Sequence, residues 1–206
     1  PGPPAALLIG CRSFAGRAPE LPGVADELEA VAAATTLPCD RLLDAQASCA
    51  QLSALAAAGR LARYGLIHIA SHAQLLASRR GAAHLKLWDG DLQLAKIAAM
   101  DLAGALVVLS ACEGADAELL PGEEALSLSR AWIEAGARAV VASLWPVYDR
   151  AVLALMARFH AELAAHGDAA LALTRAQRSL AADPHHLLAG PRCWAGFLLF
   201  GDAAPT

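Results

Sequence analysis

The feature that most constrains this chain is the character of its strands. Ala5–Cys11, Tyr64–Ser71 ("YGLIHIAS"), Ala103–Ala111 and Arg138–Leu144 are mostly continuous apolar runs, not in/out alternations. Strands of that kind are buried on both faces, which requires helices on each side of a mainly parallel sheet. Segments with helical patterning separate them, as such a sheet demands. Gly23–Thr36 places Val24, Leu28 and Val31 at three- and four-residue spacing, with Asp26, Glu27 and Glu29 assigned to its other faces. Ser48–Arg60 opens on a capping serine and closes near Gly59; a helix from about Glu123 to Ala135 stops at Gly136. Asp149–His166 and Asp168–Ala182 read as long helices, Cys39–Leu43 as a short strand and Trp194–Gly201 as a last one. The expected fold class is α/β, with a mainly parallel central sheet of about six strands.

Residues 75–101 read as an insertion: His84–Trp88, a "DGD" turn and Leu92–Leu94 form a hairpin, and a short helix runs through Met100. No repeat or low-complexity linker interrupts the 206 residues, so one domain over 1–206 is expected. A net charge of −4, with no lysine- or arginine-rich run, argues against nucleic acid or a membrane surface as partner. No stretch approaches the roughly 18 apolar residues of a membrane span. The five cysteines are widely spaced and odd in number, with no C-x-x-C pair. That spacing speaks against a metal site or disulfide framework and for a reducing, cytoplasmic setting. The start at Pro1, without a signal-peptide pattern, leads to the expectation that the chain is part of a longer protein.

In sheets of this class ligands gather beyond the carboxyl ends of the strands. One strand ends in Ser71-His72 and the next apolar strand runs into Cys112, at two edges expected to be neighbours. A thiol attacks as thiolate, and an adjacent imidazole both favours that form and carries the proton to the leaving group. The tetrahedral intermediate needs backbone N–H donors, for which the amides after His72 and around Cys112 are the natural source. At a third strand end, "ASLWPVYDR", Asp149 is expected to cap the following helix. Its carboxylate can also hold a basic substrate side chain, and Trp145 is either core or a wall of that pocket. His68 lies inside its strand at the parity of His72 and is expected to be buried or half-buried, whereas His160, His166, His185 and His186 lie far in sequence from any partner.

Taken in order, "LPGVADELEAVA", "LIHIASHA", "LVVLSACEGAD" and "GEEALSLSRAWIEAGARAVVASLWPVYDR", followed by "FHAEL" and "GDAALALTRAQRSL", resemble the CHAT domain. That family is caspase-like and belongs with caspases, metacaspases and separase. The resemblance runs from about Leu21 to Asp202. It implies a three-layer α/β/α sandwich and a cysteine endopeptidase with a His72/Cys112 dyad, without a cofactor or metal. It further implies an oxyanion hole from the backbone at Ala73 and Cys112, and an S1 pocket in which Asp149, with Trp145 beside it, selects Arg or Lys. Such domains act on protein or peptide substrates in bacterial regulated proteolysis or defence, often behind helical, TPR-like repeats or under regulatory proteins.

Two positions depart from the family pattern. The residue after the histidine is usually glycine, and here it is Ala73, which keeps the N–H but resists a left-handed backbone. Tyr148 stands where a small polar or acidic residue is more usual, in a position to cover or shape the pocket. Ala73 is the main support for the alternative reading, a catalytically inactive caspase-like scaffold or interaction module. A nucleotide-binding domain is the weakest reading, because neither G-x-x-x-x-G-K-[ST] nor G-x-G-x-x-G is present.

Overall fold

A computed structural model describes residues 4–75, 83–111, 123–183 and 187–202. Its centre is a six-stranded sheet in the order β2-β1-β3-β7-β8-β9. These strands are β1 (Ala5–Gly10), β2 (Cys39–Leu43), β3 (Tyr64–Ser71), β7 (Leu106–Ala111), β8 (Ala139–Ser143) and β9 (Phe197–Gly201). The first five run parallel, and β9 closes the edge antiparallel to β8. The α/β class, the mainly parallel six-stranded sheet and its covering on both faces are as the strand character requires.

Alternate residues of each strand feed two separate cores. Leu7, Ile9, Ile67, Ile69, Val107 and Leu109 face one side, where α2 (Cys49–Ala57), α3 (Leu94–Ala98) and α4 (Glu123–Glu134) pack. Leu8, Leu66, Ala70, Leu106 and Val108 face the other, under α1 (Val24–Ala34), α5 (Asp149–His166) and α6 (Ala169–Ala181). Burying each large aliphatic side chain contributes about 1.5–3 kcal/mol, so this two-sided strand pattern dominates the fold.

Local chemistry sets the boundaries. Ser48 Oγ accepts the Gln51 N–H at 3.0 Å, and Asp89 accepts the Cys49 and Ala50 N–H groups at 2.7 and 3.2 Å, so α2 is capped twice. Asp168 caps α6 through Leu171 N–H, and Gly167, with φ of 70°, ends α5 in the left-handed conformation. Strand β7 begins at Leu106 and not at Ala103, because Ala103 and Gly104 form a turn at φ 46° and 88°. Strand β9 likewise starts three residues later than expected, at Phe197.

The insertion contains β5 (Ala83–Leu87) and β6 (Gly90–Gln93), the expected hairpin, and also β4 (Ala73–Leu75), which was not anticipated. Three residues are too few to display a period, and β4 pairs antiparallel with β5 directly after His72. Among the described residues no helix is long and apolar enough to cross a membrane.

Candidate active site

His72 leaves the carboxyl end of β3 and is held from two directions. Its carbonyl accepts Lys86 N–H of β5 at 2.8 Å, while the neighbouring Ser71 Oγ donates to the Lys86 carbonyl. The half-buried ring stacks obliquely on Phe14, with centroids 5.0 Å apart, and Nε2 lies 3.0 Å from the carbonyl oxygen of Pro19. A carbonyl only accepts, so this contact puts the proton on Nε2 and leaves the Nδ1 lone pair available.

Both holding residues come from the β1–α1 connection. That segment is pinned by Arg17, which donates to the Leu87 and Trp88 carbonyls at 2.6 Å each. Arg12 secures it further by pairing with Asp44 through backbone and guanidinium. The Pro19 carbonyl was invisible to side-chain reasoning, since no residue type announces a backbone acceptor.

The register of β3 and β7 runs through Ala70↔Ser110 and Ser71↔Ala111. Cys112 follows Ala111 directly in sequence and lies outside the described residues, as does the acidic loop after it.

Ala73 does not adopt a left-handed backbone; it lies in β4, opposite Leu85. Lys86 N–H bonds the His72 carbonyl, which makes Ala73/Leu85 the non-hydrogen-bonded pair of the ladder. The Ala73 N–H therefore points away from β5, toward the open edge of β4. The Cβ that distinguishes alanine from glycine meets no backbone penalty here.

A cavity of about 180 Å³ opens beside His72. Leu21, Gly23, Val24 and Glu27 line it from the start of α1, Ser71 and Ser110 from the strand ends, and Pro146, Val147, Asp149 and Val152 from the entry to α5. Helices following parallel strands run back along the sheet, so α1 and α5 both begin at its carboxyl edge and present their first turns here. Asp149 is the first residue of α5 and is exposed. The expected capping role is not seen: Tyr148 is the N-cap residue, without a side-chain cap.

Trp145 is not brought to this cavity. Its indole N–H donates to the Arg192 carbonyl at 3.2 Å, and its ring lies across Gly196, where a Cβ would sit 2.8 Å from Cε2. Tyr148 is 73% exposed and does not line the cavity either.

Beneath the cavity lies a polar chain that the sequence reading divided wrongly. Glu27, assigned to an outward face, is 6% exposed, and its Oε1 lies 2.9 Å from His68 Nε2. His68 Nδ1 lies 3.1 Å from Nε2 of His160, a residue read as having no partner. Both rings are buried, and they meet edge to face with centroids 5.1 Å apart. Burial, and after it the charge of His68, pushes the His160 pKa well below the ordinary imidazole value. The signal was present in the spacing: Glu27 shares a face with Val24 and Val31, and His160 with Val152 and Met156. Charge was allowed to outvote period.

Several other thiols are chemically quiet. Burial, then Asp44, pushes Cys11 up to about 12; burial, then Asp89, pushes Cys49 up to about 11. Burial likewise raises Cys39. Thiolate fractions at neutral pH are correspondingly small.

A comparison with known families places the whole sandwich. The CHAT domain matches residues 2–202. The chain belongs to the CHAT domain family. Its caspase-like sandwich also aligns with the crystal structure of the Arg-specific cysteine proteinase gingipain R, at a TM-score of 0.58 and 12% identity. That alignment covers 98% of the CHAT domain described here and 46% of the gingipain R chain, so the present chain spans about half of that protein's length. At this identity the likeness is one of fold. Comparison with curated proteins returns no match.

Proposed function

We propose that this CHAT domain is a cysteine endopeptidase in which His72 and Cys112 form the dyad and Asp149 selects a basic P1 side chain. The observation that carries the reading is the fixed imidazole at the end of β3. Its Nε2–H is committed to the Pro19 carbonyl, so Nδ1 is left as the base. It stands one residue beyond Ser71, whose register partner Ala111 directly precedes Cys112.

In this mechanism Nδ1 of His72 takes the Cys112 thiol proton and the thiolate adds to the scissile carbonyl. The oxyanion draws on the Ala73 N–H, which the ladder leaves pointing outward. Collapse forms the thioester, and the imidazolium gives its proton to the departing amine. Water, deprotonated by the same nitrogen, then releases the acid and restores the thiol. The acidic cavity beside His72 supports a cationic P1, and the Arg specificity of gingipain R points the same way. The scaffold alternative draws on Ala73; its backbone is not left-handed, which supports the catalytic reading.

The test is covalent labelling of the full-length protein, including any helical-repeat region upstream, by an Arg-P1 peptide acyloxymethyl ketone. Cys112 is the expected site, with labelling abolished in Cys112→Ala. Asp149→Asn is expected to slow it about 10- to 100-fold, the size of a lost hydrogen bond to a charged group. Labelling at another cysteine, or equal labelling by a norleucine analogue, would overturn the proposal.

A further inference from the structure

We propose that Glu27 is a second cation-binding carboxylate of the cavity, held in position by the buried pair His68 and His160. The inference rests on the reading that this cavity receives the P1 side chain, and it assigns a specificity residue that the strand-end motif does not contain.

Glu27 is desolvated but not sealed: its side chain keeps 8% exposure and lines the cavity. Side chains on a helix lean toward its N-terminus, and α1 begins at the cavity, so Glu27, one turn inside, leans toward the opening. The first turn of α1 also packs against Asp149. A Cβ built at Gly23 would stand 3.5 Å from Asp149 Cβ and 3.6 Å from its Oδ2. Two carboxylates from two helices therefore border one small volume, Asp149 at the exposed mouth and Glu27 on the inner wall. No lysine or arginine is among the described residues that line it.

The histidines explain why Glu27 can stay there. A carboxylate offers only lone pairs, so His68 Nε2 carries the proton in their contact, and the ring occupies Oε1 alone. His160, kept neutral by its burial, supports His68 from behind without adding a charge of its own beside the carboxylate. A bidentate arginine in that place would engage both oxygens; an imidazole engages one. Among the described residues no hydrogen bond reaches Oε2, and it is the atom available to a ligand.

The carboxylate is thus oriented before substrate arrives, which removes the cost of ordering it on binding. A guanidinium presents five donors in a planar fork and can span Asp149 and Glu27 together, whereas an ammonium is a single point of charge. The arrangement favours Arg over Lys. The first turns of α1 and α5 add partial positive charge near the cavity, and the two carboxylates outweigh it at the ligand.

The experiment measures binding of agmatine, an aminobutyl-guanidinium, and of cadaverine, which carries a second ammonium in place of the guanidinium, to the full-length Cys112→Ala protein by calorimetry. Agmatine is expected to bind more tightly than cadaverine, and Asp149→Asn and Glu27→Gln each to weaken agmatine about tenfold or more. His68→Leu is expected to reduce the agmatine-to-cadaverine ratio, and His68→Gln, whose amide can still donate to Glu27, to restore part of it.

If Glu27→Gln melts cooperatively and binds agmatine within about twofold of the parent, the change being smaller than one charged hydrogen bond, this inference falls. A loss confined to Asp149→Asn leaves the P1 reading standing without Glu27. Should Glu27→Gln not fold, Glu27→Asp keeps the charge but shortens the reach, and an unchanged agmatine preference there overturns the proposal. No agmatine binding by the parent also overturns it. Binding that needs both carboxylates, without any labelling by the Arg-P1 ketone, upholds this inference and removes the peptidase reading.

Discussion

The middle and the end of β3 place the same side chain at the same strand parity, in opposite surroundings. His68 is fully buried, bonded on one side to Glu27 and on the other to His160. His72, four residues on, is half-buried, leans on Phe14 and gives one nitrogen to the Pro19 carbonyl. The first has the stronger partner and no access; the second has a weak partner and, among the described residues, one nitrogen without a hydrogen bond. Chemistry on a transient proton needs the second condition. A histidine whose two nitrogens are both spent within the fold can orient a neighbour but cannot exchange a proton with substrate.

Exchanging the roles by mutation tests that contrast. His72→Gln is expected to lower the rate of covalent labelling by about 10²–10⁴-fold, the usual worth of a general base. Its thermal midpoint should stay near that of the parent. An unaltered rate would mean that some other base serves the thiol. His68→Leu is expected to do the opposite, costing about 3–5 kcal/mol in denaturant unfolding by leaving Glu27 buried without its partner. A loss below about 1 kcal/mol would show the chain to be solvated in solution, as exposed ion pairs are.

Gly10→Ala probes the same ground more gently. A Cβ there would stand 2.6 Å from Leu28 Cδ1 and 2.7 Å from Val24 Cγ1, directly under the first turns of α1. The displacement is expected to cost about 1–3 kcal/mol, as overpacking does. It should perturb Glu27 and His68 in NMR spectra and leave the Phe14–His72 contact in place. The smallest effect is expected at Ala73→Gly. With an extended backbone already present, kcat/KM should change less than about threefold; a larger gain would show that catalysis needs a left-handed turn there.

Much of this site was legible because it rests on side-chain type and strand position. His72 and Asp149 border one cavity, as strand-end reasoning from two separate runs required. The failures have a common physical origin. Trp145 was offered to the pocket on the strength of its neighbour in sequence, but the glycine at 196 opens a slot that draws its ring the other way. Glu27 is expected off the apolar face because an isolated charge is costly to bury, and His160 is far in sequence from any partner; a sequence read locally cannot show that the two flank one imidazole. β4 is too short to carry a period, and the direction of the Ala73 N–H follows from its pairing alone.

The hold of the Pro19 carbonyl on His72 has one further consequence. A carboxylate at the tip of a side chain can swivel to follow an imidazole that shifts, but a main-chain oxygen moves only when its loop moves. The tautomer of His72 is therefore wired to the β1–α1 connection and, through Arg17, to the tip of the β5–β6 hairpin. Whatever grips that hairpin or that loop from outside would shift the proposed base without touching the cavity beside it.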